Sequence, residues 1–273
     1  MIKAQQEADE LAQELEVPIQ INDVCELLLE AGLNISYEEK NMSSGGFEGI
    51  SLGDSQVAGI IVNSNIESFT RKRFTAMHEI GHVVLHIFPG IETTFRCTKK
   101  DISSEKSSKQ VYESEANTFA SSLLLPKHFV KPLVSKNDLV WAFIKEVADK
   151  CEASLQATAR RLVSLAKEEY ALIIQYNDEV WFPIKSPSCN YFVDRRKFPD
   201  SLRKIEIVDE KKFPSLWDEC DANEWVSMDE PCPPIKYSSI YFPKHKLAMT
   251  MLYLPEVDDW GDESDNGWEV PHF

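Results

Sequence analysis

No stretch of eighteen apolar residues occurs in the chain, so nothing in it is long enough to cross a bilayer as a helix. The N-terminus, MIKAQQEADELAQE, lacks the basic, apolar, small-residue pattern of a secretory leader, and a cytoplasmic protein with no membrane partner is expected. The six cysteines, at 25, 97, 151, 189, 220 and 232, form no C-x-x-C pair and no regular framework, which favours reduced thiols over a disulfide scaffold. Cys220 and Cys232 fall in a loop-rich region where a metal could bind, but buried or idle thiols are the simpler reading.

Positive charge is scarce as well, with 29 Lys and Arg against 45 Asp and Glu and a formal charge of −16. Residues 206–273 hold 16 acidic and 5 basic side chains, so −11 of that total sits in the last quarter of the chain. Excess acid repels phosphate and argues against direct nucleic-acid binding. The simplest reading is a solvated acidic surface and tail that aid solubility; a basic protein partner is the sharper alternative. Apolar content of 43% with 27% charged residues fits a globular protein, and 273 residues suffice for two domains.

Residues 74–90, FTAMHEIGHVVLHIFPG, are the stretch around which the rest is organised. Phe74, Met77, Ile80, Val84 and Phe88 recur at steps of three and four, the stripe of a helix packed on a core, which leaves the histidines facing a cleft. Ser68 is the expected N-cap and Pro89-Gly90 the stop. Within this helix lies His78-Glu79-Ile80-Gly81-His82. Residues four apart share a helical face, so the imidazoles of His78 and His82 can reach one Zn²⁺. Glu79 sits about 100° around the helix and flanks the metal, where a general base belongs. A zinc ion lowers the pKa of its water to about 7, and such a base takes the proton as the oxygen attacks a carbonyl. Gly81 costs about 1 kcal/mol against Ala in a helix, so something is expected to approach the backbone there.

A third ligand is available downstream. Residues 111–126, VYESEANTFASSLLLP, read as a helix ended by Pro126, with Glu113, Ala116, Asn117 and Ala120 on one face. Small residues there allow close approach to the first helix. Glu113 could complete the ligand set and leave a fourth position for water, and Asn117, one turn on, could hold a ligand's second ring nitrogen. Glu115 points elsewhere and is the weaker candidate. His86 has drifted about 80° from His78 and fits a buried, hydrogen-bonded role better than ligation. His128, just after Pro126, is either an oxyanion stabiliser or an ordinary loop histidine.

RKRFTAMHEIGHVVLH, followed about thirty residues later by ESEANTFASSLLLP, resembles the ImmA/IrrE family of zinc-dependent metallopeptidases. The resemblance covers roughly residues 15–165 and is strong over the two helices. It implies His78, His82 and Glu113 as zinc ligands and Glu79 as the catalytic base, on a small zincin-like domain. It also implies a protein substrate, in some members a repressor whose cleavage switches on mobile-element or stress genes. The same ligand types accept Mn²⁺ or Fe²⁺.

Elsewhere, residues 3–15 read as an amphipathic helix with Ala8, Leu11, Ala12 and Leu15 on one side, and Asn22 or Asp23 as the cap of a second helix running to Leu29. LNISYEE, FEGISLG and VAGIIVN read as strands, one of which could pair with an extended substrate. The cluster Arg71, Lys72 and Arg73 opens the metal helix, where positive charge is disfavoured, so it is expected to pair with acids or receive a substrate's carboxylates. Residues 99–110 read as a surface loop. Helices at 137–151 and 154–166 form a helix-turn-helix-like segment, but the 5 basic and 4 acidic residues of 137–167 favour packing over DNA binding.

From residue 168 the texture changes to strands, with YALIIQYN and VWFPIK as a hairpin and SSIYFP and LAMTMLYLP beyond it. The expected architecture is therefore α+β: a zincin-like metallopeptidase domain at 1–167, including the helical segment 137–166, and a smaller α+β or mainly β domain at 168–273. The second domain is expected to recognise the target or regulate the first, and to end in an acidic tail. The expected function is a zinc metalloendopeptidase cleaving a protein substrate. The alternative is a regulatory protein-binding module with a zinc site and little hydrolysis.

Overall fold

A computed structural model describes residues 2–42, 46–98, 110–177, 179–180, 183–193, 213–226 and 234–254. The chain forms two compact units: Met1–Leu165, of mixed α and β structure, and Ala166–Phe273, whose described elements are strands and short 3-10 turns.

In the first unit α1 (Ile2–Gln13) buries Ala4, Ala8 and Ala12 at a strict four-residue spacing. Side chains this small let α1 lie close against its neighbours, whereas Leu11 and Leu15, expected on the same stripe, are only half-buried. α2 (Ile21–Glu30) buries Val24 and Leu28, and its N-cap position is Gln20, which makes no capping bond. Asn22 and Asp23 thus lie inside the helix rather than ahead of it, and Asp23 places negative charge at the positive end of the dipole.

Strands β1 (Asn34–Lys40), β2 (Phe47–Gly53) and β3 (Val57–Asn63) follow where the alternation placed them. Asp54 closes the β2–β3 turn, its Oδ1 accepting from the amides of Gln56 and Val57 at 2.9 and 3.0 Å. β1 runs parallel to β3, so β3 lies between β1 and β2. Ala58, Ile60 and Val62 alternate along β3 as its buried face.

The motif helix α3 spans Phe69–His82, with Ser68 Oγ accepting from the Arg71 amide at 3.3 Å as the expected cap. It runs on into a π-helical turn, Val83–Ile87, and the chain turns away at Gly90, whose φ is +75°. Strand β4 (Thr94–Thr98), which the sequence pattern did not suggest, then returns antiparallel to β2 and forms one edge of the sheet, whose order among the described strands is β1-β3-β2-β4. The basic cluster pairs with acids of this unit: Arg71 Nε with Glu48 at 2.8 Å, Lys72 with Glu39 at 2.9 Å, and buried Arg73 with Glu152 at 3.1 Å.

α4 (Gln110–Leu124) packs against α3. A Cβ built on Gly81 would lie 3.2 Å from the Ala116 Cα and the Phe119 Cβ, so the glycine is what admits the second helix. With the sheet on one side and α4 on the other, every residue from Thr75 to His82 is buried. The histidines therefore face α4, not an open cleft, and Phe74, Val84 and Phe88 of the anticipated core stripe are only half-buried.

α5 (Lys127–Val134), α6 (Trp141–Cys151) and α7 (Leu155–Leu165) complete the unit, with Ser154 Oγ capping α7 at the Ala157 amide. Arg161 of α7 is buried; its Nε donates to the Leu125 carbonyl at 3.1 Å and its Nη2 meets Asp9 at 3.3 Å. It is consumed in packing, as the near-neutral charge of that segment suggested.

The second unit is a six-stranded sheet of β5 (Tyr170–Tyr176), β6 (Glu179–Val180), β7 (Ile184–Lys185), β8 (Asp218–Cys220), β9 (Ile235–Phe242) and β10 (Leu247–Tyr253). β10 lies between β5 and β9, all antiparallel, while β6 and β7 pair with β5 and β8 with β9. Asn177, at φ +52°, begins the β5–β6 turn. Ala171, Ile173, Leu252 and Leu254 pack with Tyr191 and Trp225 in the core of this unit. Among the described residues no helix is long and apolar enough to cross a membrane. The loop expected at 99–110 falls almost wholly outside the described residues, as do Cys232 and the acidic tail after Leu254.

Candidate metal centre

α3 and α4 bring together all the residues singled out from their sequences. His78 Nε2 is 3.1 Å from His82 Nε2 and 3.1 Å from Glu113 Oε2, and His82 Nε2 is 3.5 Å from Glu113 Oε1. Both imidazoles are fully buried, and the Glu113 side chain is 13% exposed.

The second ring nitrogens decide which way the lone pairs point. His78 Nδ1 is 3.0 Å from Asn117 Oδ1, an acceptor, so the ring's proton belongs on Nδ1 and Nε2 turns toward Glu113. For His82 the chain of bonds is longer. Its Nδ1 lies 3.2 Å from His86 Nδ1, and His86 Nε2 lies 3.2 Å from Glu115 Oε2. A carboxylate only accepts, so His86 is protonated on Nε2; burial lowers its pKa and keeps it neutral, with Glu115 opposing that shift, so its Nδ1 accepts from His82. His82 therefore also carries its proton on Nδ1 and presents a bare Nε2. Burial lowers the His82 pKa to about 3, against the pull of Glu113.

Glu79 lies beside this cluster with 0% exposure. Its Oε2 accepts from Ser51 Oγ of β2 at 2.8 Å. Burial raises its pKa to about 7, more than His78 and the Ser51 bond lower it. β2 can lie this close because residue 49 is glycine: a Cβ there would overlap the Glu79 carboxyl group. From the other side β4 lays the Phe95 ring on His82, stacked at 4.0 Å between centroids and 13° between planes. Tyr112 packs on His86 at 4.8 Å. Cys97, fully buried, brings its Sγ to 3.9 Å from Glu113 Oε1, and the donor atoms of His78, His82, Cys97 and Glu113 all lie within 4.8 Å of one another.

Of the residues anticipated, His78, Glu79, His82, Glu113 and Asn117 converge. His86 has the buried, hydrogen-bonded place expected for it, and Glu115, turned away from the cluster, is its partner. His128 lies exposed on α5. Gly49, Ser51, Phe95 and Cys97 were not anticipated. No periodicity marks them, because each reaches the site from a strand paired across the sheet.

An IrrE N-terminal-like domain, the defining domain of a peptidase family, matches residues 31–163, which contain every residue of this cluster. A 67-residue stretch is 43% identical to the uncharacterized immunity region protein 2 of Bacillus phage phi105; it covers 24% of this chain and 37% of the phage protein, little more than a third of that relative's length. The fold is similar to that of a Mycobacterium tuberculosis transcriptional regulator over 99% of this chain and 94% of the other, with a TM-score of 0.51 at 11% identity, a likeness of fold alone. Residues 31–163 thus carry an IrrE N-terminal-like domain, that of the ImmA/IrrE peptidase family.

Proposed function

We propose that the chain is a zinc-dependent endopeptidase of zincin-like architecture acting on a protein substrate. The observation that carries this reading is the convergence of two bare imidazole nitrogens and one carboxylate at 3.1–3.5 Å. Three electron pairs so close repel unless a cation lies among them. Ligand atoms around a tetrahedral zinc at 2.0–2.1 Å are separated by about 3.3 Å, so the donor set fits the ion in both chemistry and spacing. His78, His82 and Glu113 would hold it, and Mn²⁺ or Fe²⁺ suits the same donors. Bound there, the metal supplies Lewis acidity to water and to a peptide carbonyl.

The chain's own residues then divide the work. Asn117 and the His86–Glu115 pair fix the ring orientation of the two histidines. Glu79, with a pKa near neutrality, accepts a proton from the attacking water through Oε1 and returns it to the leaving amine, while Ser51 holds Oε2. Of the sheet's two edge strands among the described residues, β1 and β4, it is β4 that packs on His82 through Phe95, so an extended substrate would add to the sheet alongside β4.

The substrate we favour is a transcriptional repressor of a mobile element or stress response, which the relation to a phage immunity-region protein supports. Residues 168–273 would select it, since a generic hydrolytic site supplies little specificity of its own. Absence of a disulfide at Cys25, Cys151, Cys189 and Cys220 supports work in a reducing cytoplasm. A binding module with little hydrolysis is the second reading, favoured by Cys97, because a thiol in the donor set is typical of closed structural sites. Glu79 speaks against it, since such a site has no use for a buried base. The test compares new protein termini in cells expressing wild type or Glu79→Gln. One peptide end made only by the wild type is expected, and identical sets of termini would eliminate the peptidase reading.

A further inference from the structure

Cys97 is the member of the donor cluster to which the peptidase mechanism gives no task. It sits opposite Gly49 in the β2–β4 register, and strand alternation puts it on the same face as Phe95, whose ring lies on His82. The strand that presses on the imidazoles thus delivers a sulfur to the same spot. That sulfur is fully buried and shares the 4.8 Å donor set with His78, His82 and Glu113. A second observation points to the same place. Glu79 Oε1 is buried with no hydrogen-bond partner of good geometry, and the Cys97 thiol is its polar neighbour.

Building on the metallopeptidase reading, we propose that Cys97 Sγ closes the metal centre as a fourth, displaceable ligand, so that this conformation is a latent state of the enzyme. On closure the thiol would release its S–H proton to solvent, the sulfur would contribute its electron pair as thiolate, and one water would leave. Opening would reverse each event: a proton returns to sulfur, the sulfur withdraws, and a water takes its place. Closure would disable the site by filling the position from which water is delivered. The burial agrees, since His78, Glu79 and His82 all have 0% exposure. Opening need not disturb the core, because Cys97 rides on an edge strand paired with β2 alone among the described strands. A polypeptide adding to β4 is suited to draw the sulfur away, coupling substrate capture to activation.

X-ray absorption on the full-length, zinc-loaded wild type tests this without any variant. One sulfur scatterer at about 2.3 Å beside nitrogen and oxygen is expected. The cobalt-loaded protein is expected to show a thiolate charge-transfer band in the near ultraviolet that Cys97→Ser loses while the visible d–d bands persist. A stoichiometric metal with a purely nitrogen and oxygen shell would overturn the proposal and leave the peptidase reading standing. Failure of the wild type to retain a stoichiometric metal would overturn both.

Discussion

The Cα of Gly49 lies against the carboxyl group of Glu79, so close that a Cβ there would come within 2.7 Å of the Glu79 Cγ and Cδ. The strand backbone is thereby one wall of the pocket that aims the base, and Ser51, two residues along the same strand, holds its far oxygen at 2.8 Å. Gly49→Ala must push the carboxylate aside or shift β2. The variant is expected to retain metal, lose about 1–3 kcal/mol of stability to overpacking, and cleave substrate about a hundredfold more slowly because the base is displaced. Cleavage rate measured beside metal content checks this. A wild-type rate would mean that residue 49 does not position Glu79.

Asn117 touches His78 only at the nitrogen turned away from the cluster, at 3.0 Å. Its part is to hold the ring's proton on Nδ1 and its orientation toward Glu113. Asn117→Ala is therefore expected to weaken metal binding by about 10- to 100-fold, and Asn117→Asp, which still accepts, to restore most of it. Competition against a chromophoric chelator reads both. Equal affinity in the wild type and the alanine variant would remove Asn117 from the site.

The residues legible in the sequence were those whose placement is helical. His78, Glu79 and His82 share one helix, and Glu113 and Asn117 another, so a spacing of three or four residues states their geometry outright. The small residues at 81, 116 and 120 announced that the helices would meet. β1, β2 and β3 were legible from their alternation, but their order was not, because β1 pairs in parallel with β3, past the β2 that intervenes in the chain, with no tight turn between them to record it. β4 is five residues long, and its contribution comes through a register with β2 that no local pattern records. Cys97 and Phe95 were invisible for that reason. Glu115 was correctly read as turned away from the cluster, but its link to His82 through His86 needed the ring positions.

That link makes a further expectation. His82 Nδ1–H donates to His86 Nδ1, and His86 Nε2–H to Glu115. His86→Leu leaves a buried donor with nothing to accept it, a loss of about 1–3 kcal/mol, and frees His82 to take the wrong tautomer. Metal affinity is expected to fall about 10- to 100-fold, although His86 is not among the three proposed ligands. Glu115→Gln is expected to be much milder, because the amide oxygen still accepts from Nε2. Chelator competition on both variants checks the ordering, and a Glu115→Gln loss as large as that of His86→Leu would contradict the proton assignment.

Glu79 carries a cost that metal-free protein exposes. Its carboxyl titrates near pH 7 in the fold against an ordinary value of 4.5, chiefly because burial disfavours the charged form. Between those values the folded state binds the proton more tightly than the unfolded chain, so stability falls as pH rises from about 4.5 and levels off above about 7. The penalty at pH 8 is about 3 kcal/mol, from 1.36 kcal/mol per pH unit. Glu79→Gln cannot ionise and escapes it, while contributions from His82 and Glu113 are common to both proteins and cancel. Urea denaturation of the metal-free pair is expected to show the variant more stable by about 3 kcal/mol at pH 8, with the gap closing by pH 4. A gap independent of pH would mean that the base ionises in the fold as it does in water.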